Sequence, residues 1–339
     1  MAQRFTLHEI RTRTYKDRDA WWTVWLVDPL ASRLVWLVAP LRSVTPNRLT
    51  VSAFLLGVGA AACFWQQSYA WLALGALLFH FSFVIDCMDG KIARLKGTGS
   101  VFGAWLDYVF DRLRVLVCTV ALMGGQYVRT EDFVYVWLAG LVIFLDMFRY
   151  LNALQMGKVK GEMRARLAAA RGVGSAPPVF VEEAVAHQPV GNGTAVLTST
   201  TDMLGRERPV VDVYGDFRNR FGAFVKIRNT LVRQRIRAHV ISGIEFQMAV
   251  FIIGPLVHQI VGTTLVAAAL LVAFELLLIY KLWTATRSYV KHLAEAGVGS
   301  EAEADAAVEA VGLEPSAVVD DPDELIAEEP PAAPAVAPR

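Results

Sequence analysis

Six stretches of this chain are apolar over nearly the length a helix needs to cross a bilayer: about 51–66, 70–88, 101–123, 133–151, 240–259 and 262–284. A hydrocarbon core takes about 20 apolar residues of helix, with about 17 as the lower limit. In lipid every backbone polar group must also be satisfied within its own segment. The chain is therefore expected to be an all-α integral membrane protein with six transmembrane helices. A hydrophobic share of 55% agrees, being far from the average of soluble domains.

The segments between the runs set the expected topology. "QQSY" and "HQIVG" are short turns without Lys or Arg, and in 124–132 Arg129 is offset by Glu131 and Asp132. The other connections hold Arg42, Arg48, Lys91, Arg94, Lys96, Lys158, Lys160, Arg164 and Arg166. The positive-inside rule then puts both termini on the cytoplasmic side. Ahead of the first run, Trp21 to Leu41 is apolar but broken by Asp28, Pro29, Ser32, Arg33 and Pro40. An interfacial amphipathic helix lets Asp28 and Arg33 reach water and seats Trp21, Trp22, Trp25 and Trp36 at the headgroups. The N-terminus lacks the apolar core of a cleavable signal peptide.

Five divisions follow: an N-terminal segment with the interfacial helix (1–45), four helices (46–152), a cytoplasmic insert (153–239), two helices (240–285) and a tail (286–339). The insert reads as a helical start ("GKVKGEMRARLAAAR"), a flexible loop rich in Gly, Pro, Ser and Thr, and a basic amphipathic helix with Phe217, Phe221, Phe224 and Leu231 near helical spacing. Anionic membrane lipids are its expected partner. The tail, rich in Ala, Glu, Asp and Pro, is expected to be disordered. No nucleic-acid partner is expected.

Within this apolar setting stand Asp86, Asp89, Asp107 and Asp111, where ionised carboxylates are costly and normally absent. Spacings of three and four put each pair on one helix face, a turn apart. Two such faces turned together would surround a small volume with oxygen donors. Mutual repulsion would break that arrangement unless cations filled it, and hard divalent ions, Mg²⁺ or Mn²⁺, suit such ligands. By spacing, all four carboxylates are candidate ligands.

Positions 86 to 111 read D-x2-D-G-x2-A-R-x8-G-x3-D-x3-D, with Gly90, Ala93, Arg94 and Gly103 filling the remaining fixed places. Upstream, Pro46-Asn47-Arg48-Leu49-Thr50 opens the first apolar run. In these residues the chain resembles the CDP-alcohol phosphotransferase (CDP-alcohol phosphatidyltransferase) family. The resemblance covers roughly 20–152 by motif, and it implies displacement of CMP from a CDP-linked alcohol by an acceptor hydroxyl. It supports Asp86, Asp89 and Asp107 as ligands of two divalent ions, and implies Asp111 as general base, with a metal contact open to it as well. Thr50 resembles a cytidine-side contact. Gly90, Ala93 and Gly103 allow close approach of helices or nucleotide, and Arg94 suits the nucleotide phosphates, since guanidinium matches phosphate oxygens.

"LDYVFDRLR" resembles neither glycerophosphate-type nor serine-type branches; its Asp111-Arg112 pair is closer to inositol-phosphate-type and aminoalcohol-type branches, which usually carry an acidic residue where Arg114 stands here. Arg112, Arg114 and Arg149 are candidates for an acceptor pocket or for a basic collar facing anionic headgroups. The expected function is transfer of a phosphatidyl group from CDP-diacylglycerol to a polar alcohol in phospholipid synthesis, at the cytoplasmic face of a bacterial plasma membrane. One alternative reverses the polarity, with a soluble CDP-alcohol donating to a lipid acceptor. A cation transporter is the alternative of a different class. The resemblance also implies a homodimer.

Overall fold

Capping marks out the first helix of the computed structural model, which describes residues 5–41, 43–171, 178–180, 199–201, 207–215, 231, 234–237, 241–298 and 301–311. Thr6 Oγ1 accepts from Glu9 N at 3.2 Å, and the Glu9 carboxylate accepts from Thr6 N at 2.7 Å, opening α1 (Leu7–Thr14). This reciprocal box satisfies two donors that a helix start leaves open. A π-helical turn, Thr23–Val27, leads into α2 (Asp28–Val38). Four long helices follow: α3 (Pro46–Trp65), α4 (Tyr69–Lys96), α5 (Val101–Thr130) and α6 (Val134–Ala170). After three short strands come α7 (Gly243–Met248), a π-helical turn (Ala249–Ile253), α8 (Gly254–Leu256), α9 (Ile260–Glu295) and α10 (Glu301–Val311).

Four helices among the described residues, not the six expected, are long and apolar enough to cross a membrane: α3, α4, α6 and α9. The run at 101–123 does form α5, which has the length. Asp107, Asp111, Arg112 and Arg114 in its first half, with Gln126 and Arg129 near its end, leave no stretch of it apolar enough. The run at 240–259 gives only the short apolar helix Gly243–Leu256. At 1.5 Å per residue that covers about 21 Å, short of a core of about 30 Å. Asp28 also departs from expectation. It does not reach water but is buried, with Oδ1 2.7 Å from Lys91 Nζ on α4. Arg33, by contrast, is exposed, as are Trp25 and Trp36.

The chain divides into two compact units. The first comprises the described residues up to Phe148 and from Arg235 to Val272. In it α3 packs on both α4 and α5, using the small buried residues Ala53, Gly57, Ala60 and Ala61. Small side chains let backbones approach where lipid supplies no hydrophobic drive between helices. Phe251 of the second π-helical turn packs against Phe79 in a tilted arrangement and stacks on Phe64, with centroids 4.7 and 6.3 Å apart.

The second unit takes in residues 149–234 and 273–321 where described. Strands β1 (Val179–Phe180), β2 (Ser199–Thr201) and β3 (Glu207–Val211) form a sheet of order β1-β3-β2 within the insert expected as a loop. The β1–β3 pairing is parallel and the β2–β3 pairing antiparallel. Phe180, Val211 and Tyr214 bury against Met163 and Leu167 of α6 and Tyr289 and Leu293 of α9. Arg149 pairs with Glu275 at 3.4 Å, and Asn152 donates to the same carboxylate at 2.5 Å. Most of the expected basic amphipathic helix, with Phe217, Phe221 and Phe224, lies outside the described residues, as does the tail beyond 311.

Candidate metal centre

Asp86, Asp89 and Asp107 come together because α4 and α5 are joined by a short turn and both pack on α3. Helix α4 stops at Gly97, whose φ of +62° places it in the left-handed region, and Gly97 and Thr98 both donate to the Ala93 carbonyl. Glycine enters that region without the Cβ penalty other residues meet. Three residues later Ser100 caps α5, its Oγ accepting from Gly103 N at 3.0 Å. Asp89 lies eight residues before Gly97 and Asp107 seven after Ser100. At 1.5 Å per residue both stand about 11 Å from the turn, so the two pairs reach the same level.

Asp86, Asp89 and Asp107 each place an oxygen within 4.8 Å of the other two. At that separation two unit charges repel by about 3 kcal/mol for an effective dielectric of about 20. The Thr50 hydroxyl, in the first turns of α3, donates to Asp89 Oδ2 at 2.5 Å. Asp107 Oδ1 is buried and has no hydrogen-bond partner among the described residues. A cluster of this kind, with repulsion to offset and a buried oxygen left without a donor, fits a hard divalent cation.

Asp111 lies one turn beyond Asp107 and is buried. Its Oδ1 contacts Arg114 Nη2, and its Oδ2 is 4.0 Å from Arg112 Nη2. Arg114, itself buried, also reaches Asp86 Oδ1 and Ser82 Oγ, each at 3.3 Å from Nη1. Arg112 contacts Asp146 of α6, whose other oxygen accepts from Gln247 Nε2 at 2.8 Å. Arg94 remains exposed, and its Nε and Nη2 donate to the Thr14 carbonyl at 3.2 and 3.0 Å. A Cβ on Gly90 would meet only the Arg94 guanidinium, at 3.5 Å, and one on Gly103 would stand 2.8 Å from Asn47 Oδ1. Ala93 is half-buried. Of the residues expected to form the site, Arg149 is the one assigned to the second unit.

Sequence reasoning passed over Ser82, Asp146 and Gln247. Asp146 carried a signal, because a carboxylate inside an apolar run calls for a buried partner. Glu245, in another run, proves to be a cap: its Oε2 accepts from Ser242 N at 3.0 Å.

Fold and site together define a class, a helical protein with four membrane-length apolar helices and a three-carboxylate cluster able to hold a divalent cation, carried by two consecutive helices. Residues 43–188 match the family described as CDP-alcohol phosphatidyltransferase, and over that stretch the chain is similar to its members. It is 44% identical over 68 residues to the "Bifunctional IPC transferase and DIPP synthase" of Aquifex aeolicus, covering 20% of this chain and 15% of that protein. It is 35% identical over 88 residues to the "Phosphatidylinositol phosphate synthase" of Corynebacterium glutamicum (26% and 37%). It is 39% identical over 80 residues to the "CDP-diacylglycerol--glycerol-3-phosphate 3-phosphatidyltransferase" of Cereibacter sphaeroides (23% and 36%). Each match spans less than half of either chain.

Proposed function

We propose that this protein is a metal-dependent transferase of phospholipid synthesis, moving a phosphatidyl group from CDP-diacylglycerol to a polar alcohol with release of CMP. The observation that carries this reading is the convergence of Asp86, Asp89 and Asp107 within 4.8 Å, with Asp111 one turn away on the same helix as Asp107. The names of the relatives, one an inositol-phosphate lipid synthase and one a glycerol-3-phosphate phosphatidyltransferase, support the donor and a polar alcohol as acceptor. The Lys and Arg flanking the apolar runs support a site on the cytoplasmic face of a bacterial plasma membrane.

Asp86, Asp89 and Asp107 would hold a divalent ion, and both Mg²⁺ and Mn²⁺ suit their oxygens. A bound ion supplies charge neutralisation for phosphoryl oxygens that would otherwise repel a nucleophile. Of the two ions expected, this triad provides for one. Arg94, exposed beside Gly90, engages the nucleotide phosphates, and the small side chains of Gly90, Ala93 and Gly103 leave room for the nucleotide. Thr50 serves Asp89 first, with the cytidine side as a further contact. Asp111 takes the proton of the acceptor hydroxyl as its oxygen bonds to the phosphorus bearing the diacylglycerol and the bond to the CMP oxygen breaks. Arg112, near Asp111 Oδ2, lines the acceptor side.

The test is CMP release by purified protein in detergent with Mn²⁺ or Mg²⁺. We expect turnover of CDP-diacylglycerol with a polar alcohol, and loss of about 10²- to 10⁴-fold in Asp111→Asn, the usual range for general base catalysis. An unchanged rate in that variant would remove Asp111 as the base. Turnover of a soluble CDP-alcohol with a lipid acceptor instead would reverse the donor assignment.

A further inference from the structure

Arg114 is the cation that the protein itself builds into this centre. Its guanidinium joins two carboxylates from different helices, Asp86 of α4 at 3.3 Å and Asp111 of α5 in direct contact. Ser82 Oγ lies 3.3 Å from the same Nη1, and the Phe79 ring centroid 5.9 Å from the guanidinium carbon. The stem is fixed as firmly as the head. Helix α3 carries glycine at 57, where a Cβ would lie 2.8 Å from Arg114 Cγ and 2.9 Å from Cδ. The residue is 2% exposed.

A charge held this way is not a collar residue that a headgroup could recruit, nor a flexible arm reaching for an acceptor. Drawing it out would leave Asp86 and Asp111 facing each other without their counter-charge, which is costly in a buried setting. The planar fork of a guanidinium serves two carboxylates at once. It therefore occupies the space between the Asp86 and Asp111 oxygens that a second ion would need.

We propose that Arg114 stands in for a second divalent ion, holding Asp86 and Asp111 in a fixed relation, so that the chain loads one ion, on Asp86, Asp89 and Asp107. This rests on the metal-dependent reading of the site above. Arg114 is thus a positioning residue for Asp111, not part of the acceptor pocket.

Counting Mn²⁺ on the full chain in detergent, by calorimetric titration and by loss of the free-ion paramagnetic resonance signal, tests it without turnover. One ion per unaltered chain is expected, and two per chain in Arg114→Gln, with the second lost again in Arg114→Gln/Asp111→Asn. The charge-keeping Arg114→Lys should still load one. Two ions on the unaltered chain overturn the proposal with no variant needed, and so does a count of one in folded Arg114→Gln. If the unaltered chain binds no Mn²⁺, or Asp107→Asn leaves its binding intact, the metal reading beneath the proposal fails and takes it down too.

Discussion

Thr50 illustrates how a single hydroxyl ties a helix start to a charged centre on the next helix. Its proton goes to Asp89 Oδ2 at 2.5 Å, with the Pro46 carbonyl, 3.2 Å away, as the local alternative. Groups that hydrogen-bond metal ligands typically set metal affinity by about 10- to 100-fold. Thr50→Val keeps the shape and removes the donor, so Mn²⁺ affinity should fall within that range while the helical content is unchanged. Equal affinity would leave Thr50 to the nucleotide alone. The aspartates were readable in the sequence because their spacing is local: three or four residues bring two side chains to one helix face. Arg114 was only half readable. Its link to Asp111 is also a three-residue spacing, whereas its contacts with Asp86, Ser82 and Gly57 span 28, 32 and 57 residues and exist only after α3, α4 and α5 have packed.

The turn between α4 and α5 depends on one backbone conformation at Gly97. An added Cβ there meets nothing within 4 Å, so the cost of Gly97→Ala is conformational and not steric crowding. A left-handed residue with a Cβ costs about 1–2 kcal/mol, and Asn pays less because it tolerates that region. Thermal unfolding in detergent should rank the glycine protein above Gly97→Asn, and that above Gly97→Ala. Equal midpoints for all three would show that the turn relaxes freely. Hydropathy read α3, α4, α6 and α9 correctly because their apolar runs are continuous. It overread the runs at 101–123 and 240–259. In the first, Asp107 of the candidate metal cluster and its neighbours Asp111, Arg112 and Arg114 are the residues that spoil the apolar stretch. In the second, the Ser242 cap opens the helix only at Gly243, and a turn after Leu256, with a positive φ at His258, closes it before a bilayer's width is reached.

Across the first unit, a buried ion-pair network joins segments far apart in sequence. Asp28 is shared between Lys91 of α4 and Arg235 Nη2, the latter at 3.4 Å. Arg235 lies over the Tyr15 ring at 4.4 Å, and Arg237 pairs with Asp19 at 3.3 Å. Removing one member of a buried pair costs about 3–5 kcal/mol, while removing both can be nearly neutral. Asp28→Asn should therefore lower the unfolding temperature more than the double variant Asp28→Asn/Lys91→Met does. Strictly additive losses would mean the two residues are uncoupled. Lys91 is two residues from Asp89, so the N-terminal stretch supplies the counter-ion of the motif helix itself. Shortening the protein past Asp28 to ease expression would thus injure the centre from a distance, and the resulting inactivity should be scored as a lesion of the motif.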